Sequence, residues 1–171
     1  MRHAVAFVLS FLALSSLALA QTNPWELGKQ AVGGAAVGKL QKEINKRLLE
    51  ESRKNQCSFK TDSDELQQGC DPKARRLANA LVDAKKRIES AGVKNFKFEV
   101  SGHTDSSGSV AHNKELSQRR AEKMKRELAA KGVPDADIIA VGMGSERPAV
   151  KPDNTPAKKA KNRRYEVQVR L

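Results

Sequence analysis

Asn95-Phe96-Lys97-Phe98-Glu99-Val100-Ser101-Gly102-His103-Thr104-Asp105-Ser106-Ser107-Gly108 is the stretch on which the architecture turns. Phe96, Phe98 and Val100 alternate with Lys97 and Glu99, the period of a strand with one buried face. The strand runs into a glycine-bearing turn, and a helix follows from about Asn113 to Lys131, closed by Gly132. An acidic side chain just past the carboxyl end of a strand and ahead of a helix N-terminus stands where ligands bind in layered α/β proteins. Asp105 is therefore a candidate site residue.

Reading outward, Asp71-Pro72 opens a helix whose Leu77, Leu81, Ala84 and Ile88 form one stripe until Gly92. Gln56 to Lys60 is a short strand candidate before it. Ile138 to Val141 is a third strand, and in Tyr165 to Leu171 the apolar Tyr165, Val167, Val169 and Leu171 alternate with Glu166, Gln168 and Arg170. The order β-α-β-α-β-β predicts an α+β domain over residues 56–171, with two helices packed on one face of a mixed four-stranded sheet. Residues 143–164 form a long connection with Pro148, Pro152 and Pro156 and the basic Lys158, Lys159, Lys161, Arg163 and Arg164.

Arg120 lies four residues after Leu116 and four before Met124, so it interrupts an apolar stripe. A cation on the buried side of a helix needs a partner, because an unpaired buried charge is heavily penalised. Helical side chains lean toward the N-terminus, and Asp105 sits at the turn leading there. Two readings follow. Asp105 and Arg120 form a structural ion pair, or they stand side by side as a clamp for a zwitterion, carboxylate to ammonium and planar guanidinium to carboxylate.

The chain has 171 residues, a formal net charge of +12 and only seven aromatic side chains, five of them Phe. That bounds it to one domain with an appendage and leaves little for base-stacking platforms, so nucleic acid is not an expected partner. Arg2, the apolar run from Ala4 to Leu19 and the small-x-small Ala18-Leu19-Ala20 predict a secretory signal over residues 1–20. No cysteine follows the expected cut to serve as a lipid attachment point. On an exported chain, the positive charge concentrated in residues 101–171 suits acidic wall polymer or anionic lipid. Cys57 and Cys70 are then expected to form a disulfide. Zinc with His103 and His112 is the competing reading, but neither a Cys-x-x-Cys nor a His-x-x-x-His pair exists, so no metal and no cofactor is expected.

Residues 21–55 are a separate segment, with a helix expected over 23–54 that Asn23 caps and Pro24 begins. Val37, Leu40, Ile44 and Leu48 lie on one stripe of it. Its earlier half is charge-free and carries Gly33, Gly34 and Gly38, which suits either a flexible linker or a close helix pairing.

Gly102-His103-Thr104-Asp105, Gly108, Asn113, Leu116-Ser117, Arg120-Ala121, Gly142-Met143-Gly144-Ser145-Glu146-Arg147-Pro148 and Asn162-Arg163-Arg164 together resemble the signature of the OmpA-like C-terminal domain. This is the peptidoglycan-binding module of outer-membrane proteins, peptidoglycan-associated lipoproteins and flagellar stator proteins. The resemblance covers residues 56–171 and implies non-covalent binding of the peptidoglycan stem peptide through meso-diaminopimelate. It implies that Asp105 holds the ammonium and Arg120 the carboxylate, that Asn113 and Arg163 complete the pocket, and that Thr104 borders it. Two departures stand out: Lys60 follows the first-strand Phe59 where an acidic residue is common, and Lys158-Lys159 replaces a common Gly-Arg pair.

The expected function is thus anchoring an envelope protein or complex to the wall, from the periplasm, in association with wall or outer membrane. The alternative is a periplasmic scaffold acting mainly through the helix at 23–54, by self-association or by docking on an envelope partner. Residues 21–55 are too few for an outer-membrane barrel. A wall hydrolase would need His103 or His112 with Asp105 and a nucleophile, and no Gly-x-Ser-x-Gly element supplies one. No enzymatic activity is expected.

Overall fold

The computed structural model describes residues 33–60 and 62–171. The expected signal over 1–20 and the start of the helix expected over 23–54 lie outside the described residues. Helix α1 spans Gly34–Lys54, helix α2 Cys70–Ser90, strand β1 Lys97–Gly102, helix α3 Val110–Ala129, strand β2 Ile138–Gly142, helix α4 Pro156–Asn162 and strand β3 Tyr165–Arg170. A turn of 3₁₀ helix, Asp135–Asp137, leads into β2.

The sheet has the order β2-β1-β3, with β1 parallel to β2 and antiparallel to β3. Because side chains alternate along a strand, Phe98, Val100, Val167 and Val169 face the helices and are fully or almost fully buried. Glu99, on the opposite face, is held by Arg170 and by the Gln168 amide at 2.7 Å. Helix α2 lies against α1 and α3, and its Leu77, Leu81 and Ile88 join Phe98, Val100, Met124 and Leu128 in one aliphatic core.

The expected fourth strand is not a strand of this sheet. Residues 56–60 contribute only an isolated bridge, Phe59 to Leu66, and the described residues form three strands. The reason lies at the outer edge of β3, where a fourth strand would have to pair. Asn45 of α1 accepts from the Val169 N–H at 2.6 Å and donates to its carbonyl at 3.2 Å, and Gln41 donates to the same carbonyl at 3.1 Å. Gln56 repeats the arrangement at Tyr165, donating to the carbonyl at 2.6 Å and accepting from the N–H at 3.3 Å. Side-chain amides thus take the bonds a strand would make and blunt an edge that would otherwise invite pairing. On the other edge Gln118 of α3 does the same for β2, at the Ala140 carbonyl and the Gly142 N–H.

The apolar stripe of α1 is used within this molecule: Val37, Ile44 and Leu48 are buried against β3 and α2. Gly34 and Gly38 face open space. Cys57 and Cys70 form a disulfide that ties the segment after α1 to the first turn of α2. Tyr165 is fully buried behind it; burial pushes its phenol up to about 12, although the Cys57 N–H opposes this, and its hydroxyl donates to the Asn55 carbonyl.

The placement of α3 decides the geometry of the site. Gly102 and Gly142 are register partners at the ends of β1 and β2. A Cβ on Gly102 would stand 2.2 Å from the Ser117 carbonyl oxygen, and one on Gly142 would stand 2.5 Å from the Gln118 nitrogen. Only glycines let a helix backbone lie this close to the sheet.

Candidate functional site

Beyond Gly102 the chain leaves β1 but stays clasped between its neighbours. The His103 N–H donates to the Arg164 carbonyl at 2.8 Å, and the Thr104 N–H donates to the Gly144 carbonyl at 2.9 Å. This delivers Asp105 to the rim of the sheet. Ser109 caps α3 by accepting from the His112 N–H, so the helix starts at Val110, three residues before the expected start, and Asn113 falls in its first turn. From there the Asn113 amide donates to the Ser107 carbonyl at 2.8 Å and reaches the Asp105 carbonyl at 3.5 Å, holding the loop that carries the carboxylate.

A cleft of about 680 Å³ opens at this point, and Asp105, Asn113, Arg120, Thr104 and Arg163 all line it. All five residues expected at a site therefore come together. Asp105, 8% exposed, does not pair with Arg120. Its Oδ2 accepts from Arg163 Nη1 at 2.7 Å, and its Oδ1 accepts from the Ser107 N–H at 2.9 Å. Burial pushes the carboxyl upward, but the Arg163 hydrogen bond and charge, with the Ser107 amide and hydroxyl, outweigh it and hold the group below its ordinary value.

Arg120 is 4% exposed, and among the described residues no carboxylate forms an ion pair with it. Its Nε donates to the Ser63 carbonyl at 3.0 Å, its Nη2 to the Lys60 carbonyl at 3.4 Å, and its guanidinium stacks 5.1 Å from the Phe59 ring centroid. Burial first, and then the nearby charge of Arg163, lower its pKa, while Asp105, Asp62 and Asp64 oppose that shift. A guanidinium still remains protonated at neutral pH. Phe59 and Lys60, from the segment 56–60 expected as a sheet strand, instead line the cleft and help seat Arg120. Thr104 is 4% exposed, and its Oγ1 has no hydrogen-bond partner among the described residues.

The connection after β2 is folded rather than a plain basic excursion. Thr155 caps α4 by accepting from the Lys158 N–H, and Pro156 follows at the first helical position. Thr155-Pro156 is a helix-start signal that reading the segment as a loop overlooked. Asn162, completely buried, accepts from the Ala149 and Val150 N–H groups and donates to the Val150 carbonyl and to Asp153. Asp153 in turn accepts from both the amide and hydroxyl of Ser106, and these bonds lower its pKa to about 2. The chain Asn162–Asp153–Ser106 fastens α4 to the Asp105 loop, which is how Arg163 reaches Asp105. Sequence reasoning noted the Asn162-Arg163-Arg164 triplet but gave Asn162 no role.

His103 is buried; among the described residues neither ring nitrogen has a hydrogen-bond partner, and Glu166 Oε2 is 3.9 Å away. It lies outside the cleft lining. His112 bonds Asp62 at 2.7 Å, and neither histidine approaches a second metal-ligating group: no cluster of His, Cys, Asp or Glu able to hold a metal occurs among the described residues.

A profile of the OmpA family matches residues 58–163, a span that contains every one of these cleft residues. The chain belongs to the OmpA family. Over 162 residues it is 30% identical to the outer-membrane lipoprotein YfiB of Pseudomonas aeruginosa, covering 92% of this chain and 90% of that protein. It is 36% identical over 98 residues to the peptidoglycan-binding protein ArfA of Mycobacterium tuberculosis, covering 57% of this chain and 28% of ArfA. Against ArfA the chain thus spans little more than a quarter of the relative's length. The crystal structure of the peptidoglycan-associated lipoprotein from Burkholderia pseudomallei superposes with a TM-score of 0.55 at 29% identity, over 67% of this chain and 89% of that one. The α+β architecture with a mixed sheet is therefore that of the OmpA family. No helix among the described residues is long and apolar enough to cross a membrane.

Proposed function

We propose that the chain binds peptidoglycan non-covalently and anchors an envelope protein or complex to the cell wall, with meso-diaminopimelate of the stem peptide as the bound group. One observation carries this reading: Arg120 stands in the Asp105 cleft as a buried cation seated on neutral carbonyl oxygens, with no carboxylate paired to it among the described residues. The distal end of diaminopimelate brings a carboxylate for Arg120 and an ammonium for Asp105. A carboxylate has about four lone-pair positions, so Asp105 can accept the ammonium while Arg163 stays in place. The names of ArfA and of the Burkholderia lipoprotein support peptidoglycan as the partner.

Binding rather than catalysis fits the cleft, because Asp105 is bonded to Arg163 and Ser107, and His112, the histidine in the lining, is bonded to Asp62. The setting is the periplasm, at the wall or outer membrane. Action mainly through the N-terminal helix is less supported, since the apolar stripe of α1 is already buried against β3.

The test is retention on purified sacculi. Wall containing diaminopimelate should retain the chain, and wall with lysine in its place, which lacks the extra carboxylate, should not. Equal retention on both would remove the basis for the Arg120 role. Asp105→Ala should lose retention while keeping the far-ultraviolet circular dichroism of the unaltered chain.

A further inference from the structure

We propose that Lys159 forms a second anion site in the cleft and reads a free carboxylate of the stem peptide other than the one on diaminopimelate; this rests on the reading above. Three pairs around the cleft are closed internally: Asp105 with Arg163 at 2.7 Å, Asp62 with His112 at 2.7 Å, and Lys60 with Glu65 at 2.6 Å. Two cations remain without an acidic partner among the described residues, Arg120 and Lys159. The carboxylate of a zwitterion goes to Arg120, and its ammonium goes to Asp105, which keeps Arg163 as well, so Lys159 still has no anionic partner. A ligand with one more carboxylate supplies that partner.

Position selects this lysine from its neighbours. Lys151, Lys158, Lys159 and Lys161 crowd the same connection, yet only Lys159 lines the cleft, while Lys158 turns to Asn154. Its Nζ donates to the Ser107 hydroxyl at 2.7 Å, and the N–H of that same Ser107 donates to Asp105 Oδ1 at 2.9 Å. Lys159 therefore stands one residue away from the carboxylate that takes the ammonium, and α4 presents it whereas α3 presents Arg120. A neutral hydroxyl is a weaker partner for an ammonium than a carboxylate is, so the ligand group can displace it.

A stem tetrapeptide offers two such groups, the α-carboxylate of its γ-linked D-glutamate and the carboxylate of its terminal D-alanine. Four tetrapeptides, with neither, either or both of these amidated, would be titrated calorimetrically into the full chain and into Lys159→Ala and Lys159→Arg variants at low ionic strength. Amidating the group that Lys159 reads should weaken binding by the unaltered chain about fivefold, the upper range for a partly exposed charge pair, and this names the source. Lys159→Ala should bind the free and amidated forms alike, Lys159→Arg should keep the discrimination, and added salt should shrink it. The inference falls if neither amidation changes binding by the unaltered chain, or if Lys159→Ala loses the same factor toward the doubly amidated peptide. Absence of binding to all four peptides, or equal binding by Asp105→Ala, would instead bring down the diaminopimelate reading itself, and this inference with it.

Discussion

Arg163 Nη1 lies 2.7 Å from Asp105 Oδ2, and this pair displaces the Asp105–Arg120 ion pair that helix spacing invites. Arg163 is 45% exposed at the side chain and comes from the far end of α4, so the carboxylate is neutralised from the rim of the cleft while Arg120 remains available at its floor.

Removing the rim cation should move the titration of the carboxylate. With Arg163 present, Asp105 is held below its ordinary value; its contribution to stability is present above the unfolded carboxylate value and fades as pH falls through the folded one. In Arg163→Ala the largest opposing group is gone and burial still acts, so the Asp105 pKa should rise. Carboxyl carbon shifts followed by NMR against pH would show it, and wall retention should fail at a higher pH in the variant than in the unaltered chain.

The two register-paired glycines set the height of α3 above the sheet. Gly102→Ala places a methyl group against the Ser117 carbonyl, a backbone atom that can yield only if the whole helix shifts. We expect a loss of about 1–3 kcal/mol in urea-derived stability, the range for overpacking a tight site. Wall affinity should fall too, because Asn113 and Arg120 move with the helix. Gly38→Ala, facing open space, should leave stability unchanged or improve it, and serves as the control.

His103 makes stability depend on pH. Burial, and then the charges of Arg164 and Arg147, push its pKa down to about 4 against the opposing pull of Glu166. A histidine whose folded pKa is depressed stays neutral in the fold while the unfolded chain takes up a proton, so stability is full above about pH 6.5 and declines toward pH 4. Going from pH 7 to pH 4.5 should cost about 2 kcal/mol by urea unfolding. His103→Gln should flatten that decline, and an unchanged slope would assign it to other groups.

The amide cover on β3 should be measurable as both stability and association. Asn45→Ala removes the partners of the Val169 N–H and leaves its carbonyl with Gln41 alone, and Gln56→Ala strips Tyr165 in the same way. Each should cost about 1 kcal/mol. The double variant exposes a free strand edge, so light scattering should register more concentration-dependent association than for the unaltered chain.

Much of the fold was legible because it is written in local periodicity. The alternation in Phe96-Lys97-Phe98-Glu99-Val100 and in Tyr165 to Leu171 needs no partner to be read, and the stripe of Leu77, Leu81 and Ile88 marks a buried helix face. Position 56–60 failed that test for a nonlocal reason. Whether a short segment joins a sheet depends on whether an edge is open, and Asn45 and Gln56 close it through bonds to residues 124 and 109 positions away.

The sequence by itself determined which side chains carry charge into the site: Asp105 past a strand end and Arg120 within an apolar stripe are recognisable from neighbours four residues away or fewer. Only the tertiary structure decided how those charges pair. The partner of Asp105 is 58 residues distant and arrives through a loop folded around Asn162, while the acceptors for Arg120 lie 57 and 60 residues back in the chain. Ion pairing follows distance in space, and that distance is set by the close seat of α3 on Gly102 and Gly142 and by the clasp of α4, neither of which any local pattern encodes.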